Sequence, residues 1–167
     1  MSNVKRYRAA IITASDKGAK GEREDLSGAV LRRILEENGY EVVSAVILPD
    51  EKELLAGEMK RLADHGLCEV IFTTGGTGLS KRDVTPEATL SVGERLVPGI
   101  SEAMRAYSMS VTKRAMLGRG VSVVRNETLI INLPGSPKAV RKSLEFIIGE
   151  LSHGIAILKG DAGECAR

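Results

Sequence analysis

Apolar runs of strand length alternate with segments of helical period through the first half of the chain, and this alternation limits the fold more than any other feature. Arg8 to Thr13, Glu41 to Leu48 and Glu69 to Thr74 read as strands, and Asp25 to Asn38 and Glu51 to Asp64 between them read as helices. The order is βαβαβ, and crossovers of that length join parallel strands, by default with right-handed connections. In the first helix Leu26, Val30, Leu31, Ile34 and Leu35 form one apolar stripe, opposite Arg32, Arg33, Glu36 and Glu37, and Asn38-Gly39 supplies the stop. The second helix turns Leu54, Leu55, Met59 and Leu62 inward and ends near His65-Gly66.

Further on, Pro86 at a first helical position opens a helix to about Arg95, and Val97-Pro98-Gly99 breaks it. A helix from Ile100 to about Lys113 leads to the runs Val121 to Val124 and Leu129 to Leu133, which read as a hairpin or as adjacent strands. Pro134-Gly135-Ser136-Pro137 then turns the chain into a helix from Lys138 to Leu151. The expected architecture is an α/β three-layer sandwich, with a mostly parallel sheet flanked by helices on both faces. Residues 1–167 are expected to form a single domain with a flexible tail over 160–167. His65, His153, Met104, Met109 and Met116 are expected to serve structure and packing.

The stretch Thr73-Thr74-Gly75-Gly76-Thr77-Gly78 runs from a strand into a hinge with three glycines in four residues. Without side chains, successive main-chain N–H groups can converge on one anion of phosphate size, although such a cluster also occurs as a plain tight turn. It matches neither a Walker A loop nor a dinucleotide-binding fingerprint, because Lys81 stands where the last glycine would fall. Asp83 lies five residues beyond Gly78. A carboxylate beside an anion loop invites a divalent cation between them.

Ligands of open parallel sheets bind beyond the carboxyl ends of the strands. Four loops meet that description: Ala14 to Glu24, Pro49-Asp50-Glu51, Gly75 to Asp83, and Pro134 to Lys138. Together they hold the hydroxyls of Thr13, Ser15, Thr74, Thr77, Ser80 and Ser136, the carboxylates of Asp16, Asp50 and Asp83, and the cations of Lys81, Arg82 and Lys138. Asp50-x-x-Glu53 also has the form of a capping box, and Thr85 before Pro86 is better placed than Asp83 to cap the next helix. Lys81-Arg82 and the Lys138, Arg141, Lys142 group fit solvated faces as well as anion clamps.

A net charge of +2, with only two Phe and three Tyr for base stacking, argues against a nucleic-acid partner. Cys68 and Cys165 form no zinc-ligand pattern. Neither a signal peptide nor 18 consecutive apolar residues is present, so the expectation is a cytoplasmic protein without a membrane association.

The hinge, with Arg82-Asp83-Val84-Thr85-Pro86-Glu87-Ala88, resembles the signature of the molybdenum-cofactor biosynthesis family. Ile12-Thr13-Ala14-Ser15-Asp16, Leu48-Pro49-Asp50-Glu51 and Asn132-Leu133-Pro134-Gly135-Ser136-Pro137-Lys138 follow in the family's order, so the likeness spans most of the chain. Retention of Arg-Asp-Val-Thr-Pro resembles the adenylylating branch. That resemblance implies transfer of AMP from Mg-ATP to molybdopterin by a homotrimer, with hand-over to a molybdenum-insertion protein. It places catalysis and Mg2+ binding on Asp50 and Asp83. Pterin and phosphates fall to Thr74, Gly75, Gly76, Thr77 and Gly78 and to Pro134, Gly135, Ser136 and Lys138, and the nucleotide lies near Thr13, Ser15 and Asp16. A non-catalytic pterin-binding module and a nucleotide hydrolase are the rival functions.

Overall fold

A computed structural model describes residues 6–161. Its six-stranded sheet has the order β2-β1-β3-β6-β5-β4, built from β1 (Arg8–Ala14), β2 (Glu41–Leu48), β3 (Val70–Thr74), β4 (Arg95–Leu96), β5 (Ser122–Arg125) and β6 (Thr128–Leu133). The strands β2, β1, β3 and β6 are parallel, and β5 and β4 complete one edge antiparallel. The helices are α1 (Asp16–Ala19), α2 (Leu26–Glu37), α3 (Lys52–Asp64), α4 (Thr85–Val92), α5 (Pro98–Met109) and α6 (Pro137–Leu158), with a 3₁₀ turn over Lys113–Leu117.

Two apolar clusters separated by the sheet make the three layers. One face carries Ile11, Val70, Phe72 and Ile131 against Leu31, Leu35, Leu144 and Leu151 of α2 and α6. The other carries Ala10, Ile12, Ile71 and Ile130 against Leu55, Met59, Ala88 and Val92 of α3 and α4. Alternate residues of one strand serve opposite clusters because side chains alternate across a pleated sheet. The inner strands therefore read as continuous apolar runs, whereas edge strand β2 alternates partly buried with exposed residues.

Several element ends differ from the sequence reading, each for a local reason. β5 and β6 are the hairpin alternative, closed at Arg125 and Thr128, with Asn126 in the left-handed region at φ 51°. Helix α4 stops at Val92, not near Arg95, and Arg95 and Leu96 pair with Val124 and Val123. Helix α5 begins at Pro98 because a proline fits the first turn, and α6 continues past Leu151 because Ile155 extends its buried stripe. The short α1 carries no apolar stripe and was not legible. The proposed caps are also corrected: α3 is preceded by Glu51 and α4 by Val84, neither with a side-chain capping bond. Thr85 lies inside its helix, fully buried. Met104 packs in the core as expected, but Met109 and Met116 are exposed, and His65 and His153 sit on the surface. Of the expected tail, residues 162–167 lie outside the described residues.

At the amino end of β3, Glu69 is buried and accepts from the Arg8 main-chain N–H at 2.7 Å, Arg8 Nη2 at 2.6 Å and Lys159 Nζ at 3.1 Å. Burial pushes its carboxyl up, but the Arg8 and Lys159 hydrogen bonds outweigh this and hold it at about 2. A carboxyl depressed by folding adds stability above its unfolded value, and that stability is lost as pH falls through the ordinary carboxylate range toward about 2. Glu69→Gln should lower stability by about 2 kcal/mol at neutral pH, less than a fully buried pair because both cations can rehydrate. Urea titrations at pH 7 and pH 3 should show the deficit shrinking in acid; an equal deficit at both would rule out the charge as its source.

Candidate functional site

The parallel strands end level. Ala14 pairs with Leu48, Thr13 with Thr74, and Thr74 with Leu133, so four loops leave the sheet side by side. Hydroxyls at these ends tie the loops together. Thr74 Oγ1 donates to Pro134 O at 2.7 Å, Ser27 Oγ donates to Gly135 O at 2.6 Å, and Thr13 Oγ1 donates to Asp25 Oδ2 at 2.7 Å. Asp25 Oδ1 in turn accepts from Gly28 N at 2.8 Å and caps α2.

The glycine hinge enters this cluster with Gly75 at φ +91° and Gly76 at φ +67°, both in the left-handed region. A Cβ at Gly75 would lie 2.4 Å from Ala14 O. One at Gly76 would lie 2.3 Å from Thr85 Oγ1 and 3.1 Å from Asp50 Oδ1. The absence of side chains is therefore a steric requirement as well as a conformational one. Thr85 Oγ1 is buried beside this hinge without a hydrogen-bond partner among the described residues.

Asp50 and Asp16 hold each other through the main chain: Asp16 N donates to Asp50 Oδ2 and Asp50 N donates to Asp16 Oδ1, each at 3.0 Å. Arg82 clamps Asp16 from Nε and Nη2 at 3.0 and 2.9 Å, and Nη2 also reaches Glu51 at 2.9 Å. The Arg82 hydrogen bond keeps the Asp16 carboxyl below its ordinary value. Asp50 is different. Burial pushes its carboxyl up, the Asp16 main-chain bond only partly opposes that, and the charges of Asp16 and Asp83 push it further. Asp83 accepts from Ser80 N at 2.9 Å.

Arg119 braces the hinge from behind. Its main-chain N–H donates to Thr77 O at 2.9 Å, its Nε to Gly78 O at 2.6 Å and its Nη2 to Asp83 O at 2.6 Å, and Nη1 pairs with Glu87.

The four loop ends enclose a cleft of about 700 Å3. Of the residues proposed from sequence, Thr13, Ser15, Asp50, Thr74, Gly75, Gly76, Asp83, Gly135 and Ser136 line it. Asp16, Gly78 and Lys138 do not; Asp16 is turned to Arg82, and Lys138 is exposed on the first turn of α6. Thr77 and Pro134 face a second cavity instead. Arg23, Asp25 and Ser27 also line the cleft and were missed; the signal for Asp25 was its position as N-cap of a strongly periodic helix. Among the described residues no group of three or more His, Cys, Asp or Glu is arranged to hold a metal. Two carboxylates beside a phosphate-sized cradle suit a hard cation that takes its remaining ligands from phosphate oxygens and water.

Residues 10–153 match the family model described as a probable molybdopterin binding domain. The molybdopterin adenylyltransferase of Helicobacter pylori J99 is 37% identical, over 90% of this chain and 87% of its own. That of Escherichia coli K12 is 38% identical over 84% of this chain and 73% of its own. The crystal structure of the molybdopterin biosynthesis enzyme MoaB from Thermus thermophilus superposes with a TM-score of 0.87 at 43% identity, covering 92% of this chain and 97% of that one. By matched length, identity and fold, this chain belongs to the molybdopterin-binding domain family of molybdenum-cofactor biosynthesis.

Proposed function

We propose that this chain is a molybdopterin adenylyltransferase, moving AMP from ATP to the terminal phosphate of molybdopterin. The convergence of Asp50, Asp83 and the Gly75-Gly76 hinge on one cleft carries the reading, supported by relatives of that name. A phosphate oxygen of molybdopterin attacks the α-phosphorus of ATP, a new P–O–P bond forms, and the α–β bridging bond breaks to release pyrophosphate. No protein nucleophile is needed, because such transfers depend on orientation and charge stabilisation. Main-chain N–H groups of the hinge hold the phosphates in line, and Arg119 fixes that hinge and the Asp83 backbone together. Asp50 and Asp83, neither in a salt bridge among the described residues, would hold magnesium, which when bound would neutralise phosphate charge.

A homotrimer belongs to the same reading. A largely apolar groove of about 720 Å3 between β4, α5 and α6, with Leu96, Phe146 and Ile157 exposed, supports association of copies. Hand-over of the product to a molybdenum-insertion protein and a cytoplasmic location complete the proposal. Among the described residues no helix is long and apolar enough to cross a membrane.

The direct assay combines purified protein, Mg-ATP and molybdopterin. Pyrophosphate and a product heavier than molybdopterin by one adenylyl group are expected; AMP formed without any pterin would identify a hydrolase instead. Asp83→Asn should fold normally and bind molybdopterin, yet lose about 100-fold or more in Mg-dependent turnover. Undiminished turnover would remove Asp83 from the mechanism. Asp50→Asn separates stability from activity. Its carboxyl is raised on folding, so ionisation costs stability above the folded value, and the cost vanishes as pH falls through it. The variant is expected to melt above the wild type at pH 7, to lose that advantage on acidification, and to be inactive. A lower melting temperature at pH 7 would contradict the charge crowding.

A further inference from the structure

Three of the loops that form the cleft are tied together from outside it by one side chain. Arg82 follows the exposed tip Leu79-Ser80-Lys81 and does not line the cleft. Its guanidinium leaves the β3 loop for the segments after β1 and β2. Nε and Nη2 donate to the two carboxylate oxygens of Asp16 at 3.0 and 2.9 Å, and Nη2 also donates to Glu51 Oε1 at 2.9 Å. The Arg82 side chain is 53% exposed and that of Glu51 52%. Ion pairs this wetted add little to stability. Stability therefore does not account for a three-bond fork that joins segments 66 and 31 residues apart in the chain.

The fork does fix direction. A planar guanidinium that meets both oxygens of a carboxylate sets its orientation as well as its distance. Asp16 Oδ1 accepts from Arg82 Nη2 and also from Asp50 N, so the Asp16 orientation that Arg82 holds is the one that reaches the β2 loop. Asp16 N returns a bond to Asp50 Oδ2. With Oδ2 engaged, Asp50 Oδ1 is the oxygen turned to the hinge, 3.1 Å from where a Cβ on Gly76 would stand. Arg82 is also the residue before Asp83, whose main-chain oxygen Arg119 grips at 2.6 Å. The two carboxylates that face the cleft are thus aligned with each other through the β3 loop.

Resting on the adenylyltransferase reading, we infer that Arg82 is a positioning residue for the transfer: it holds Asp16, and through Asp16 it sets the Asp50 carboxylate against the hinge without touching either substrate. An anion clamp would turn its guanidinium into the cleft, whereas this one turns away to two carboxylates. Its contribution is geometric, and a displacement of about 1 Å in such a site costs about 100-fold in rate. Lysine cannot replace it, because an ammonium has no planar fork with which to hold both oxygens of Asp16 and reach Glu51 as well.

Arg82→Ala tests the relay at each step. Amide hydrogen exchange at Asp16 and Asp50 should quicken at least about 10-fold while exchange in β1 and β3 and the melting temperature, within about 2 °C, stay as in the wild type. The kcat for pyrophosphate release should fall about 30- to 100-fold, with the Kd for Mg-ATP measured by calorimetry within about threefold. Arg82→Lys should recover less than about a third of the lost kcat. In an Asp16→Ala background the same Arg82→Ala change should cost less than about twofold further, since a residue that acts through Asp16 has nothing left to lose. Unchanged exchange at Asp50, weakened Mg-ATP binding with kcat intact, or losses that multiply in the double variant would each overturn the assignment. A wild type that releases no pyrophosphate would count against the enzyme reading, and the exchange measurement would still decide whether Arg82 sets Asp50.

Discussion

Parallel pairing that ends level at Leu48, Ala14, Thr74 and Leu133 sets where every functional group of this chain stands. Because β1, β3 and β6 are buried on both faces, a slip of one residue would send every side chain of the strand to the opposite cluster. Register is therefore fixed by the core. The loops inherit it, and their short hydroxyl-to-carbonyl ties add local precision to an alignment already imposed by packing. Core packing and site geometry are thus one constraint seen from two ends of the sheet.

The two ends treat buried carboxylates in opposite ways. At the amino end Glu69 is nearly inaccessible and is met by Arg8 and Lys159, so its charge is retained and stabilises the fold. At the carboxyl end Asp50 is partly buried beside two other carboxylates, and the nearby cation, Arg82, is spent on Asp16 and Glu51. Packing alone has no reason to leave that charge uncompensated. Sites that bind a cation and a polyanion together do, because a fully neutralised site would have no attraction left to offer.

The sequence carried the layers and most of the cleft, and its failures share a cause. Helical and strand periods are local, so βαβαβ, the hairpin and the four loops could be read directly. Asp50-x-x-Glu53 misled because a capping box is also a local pattern, yet tertiary contact with Asp16 claimed the Asp50 side chain first. Arg119 was invisible for the complementary reason. Its partners Gly78, Asp83 and Glu87 lie 41, 36 and 32 residues away, and no spacing within its own segment announces them. Strand β4, only two residues long, exists because Gly93 lets the chain run close to β5; a Cβ there would sit 2.7 Å from the Val123 side chain.

Gly76 shows why the hinge offers main chain, not side chain, to the cleft. Asp50, Thr85 and the hinge approach so closely there that any substituent would displace one of them. A longer cationic side chain in the same place would neutralise Asp50 and fill the space beside it, removing both the uncompensated charge and the opening of the cleft. Amide groups avoid both outcomes, since they offer partial positive charge without volume and are already oriented before a ligand arrives.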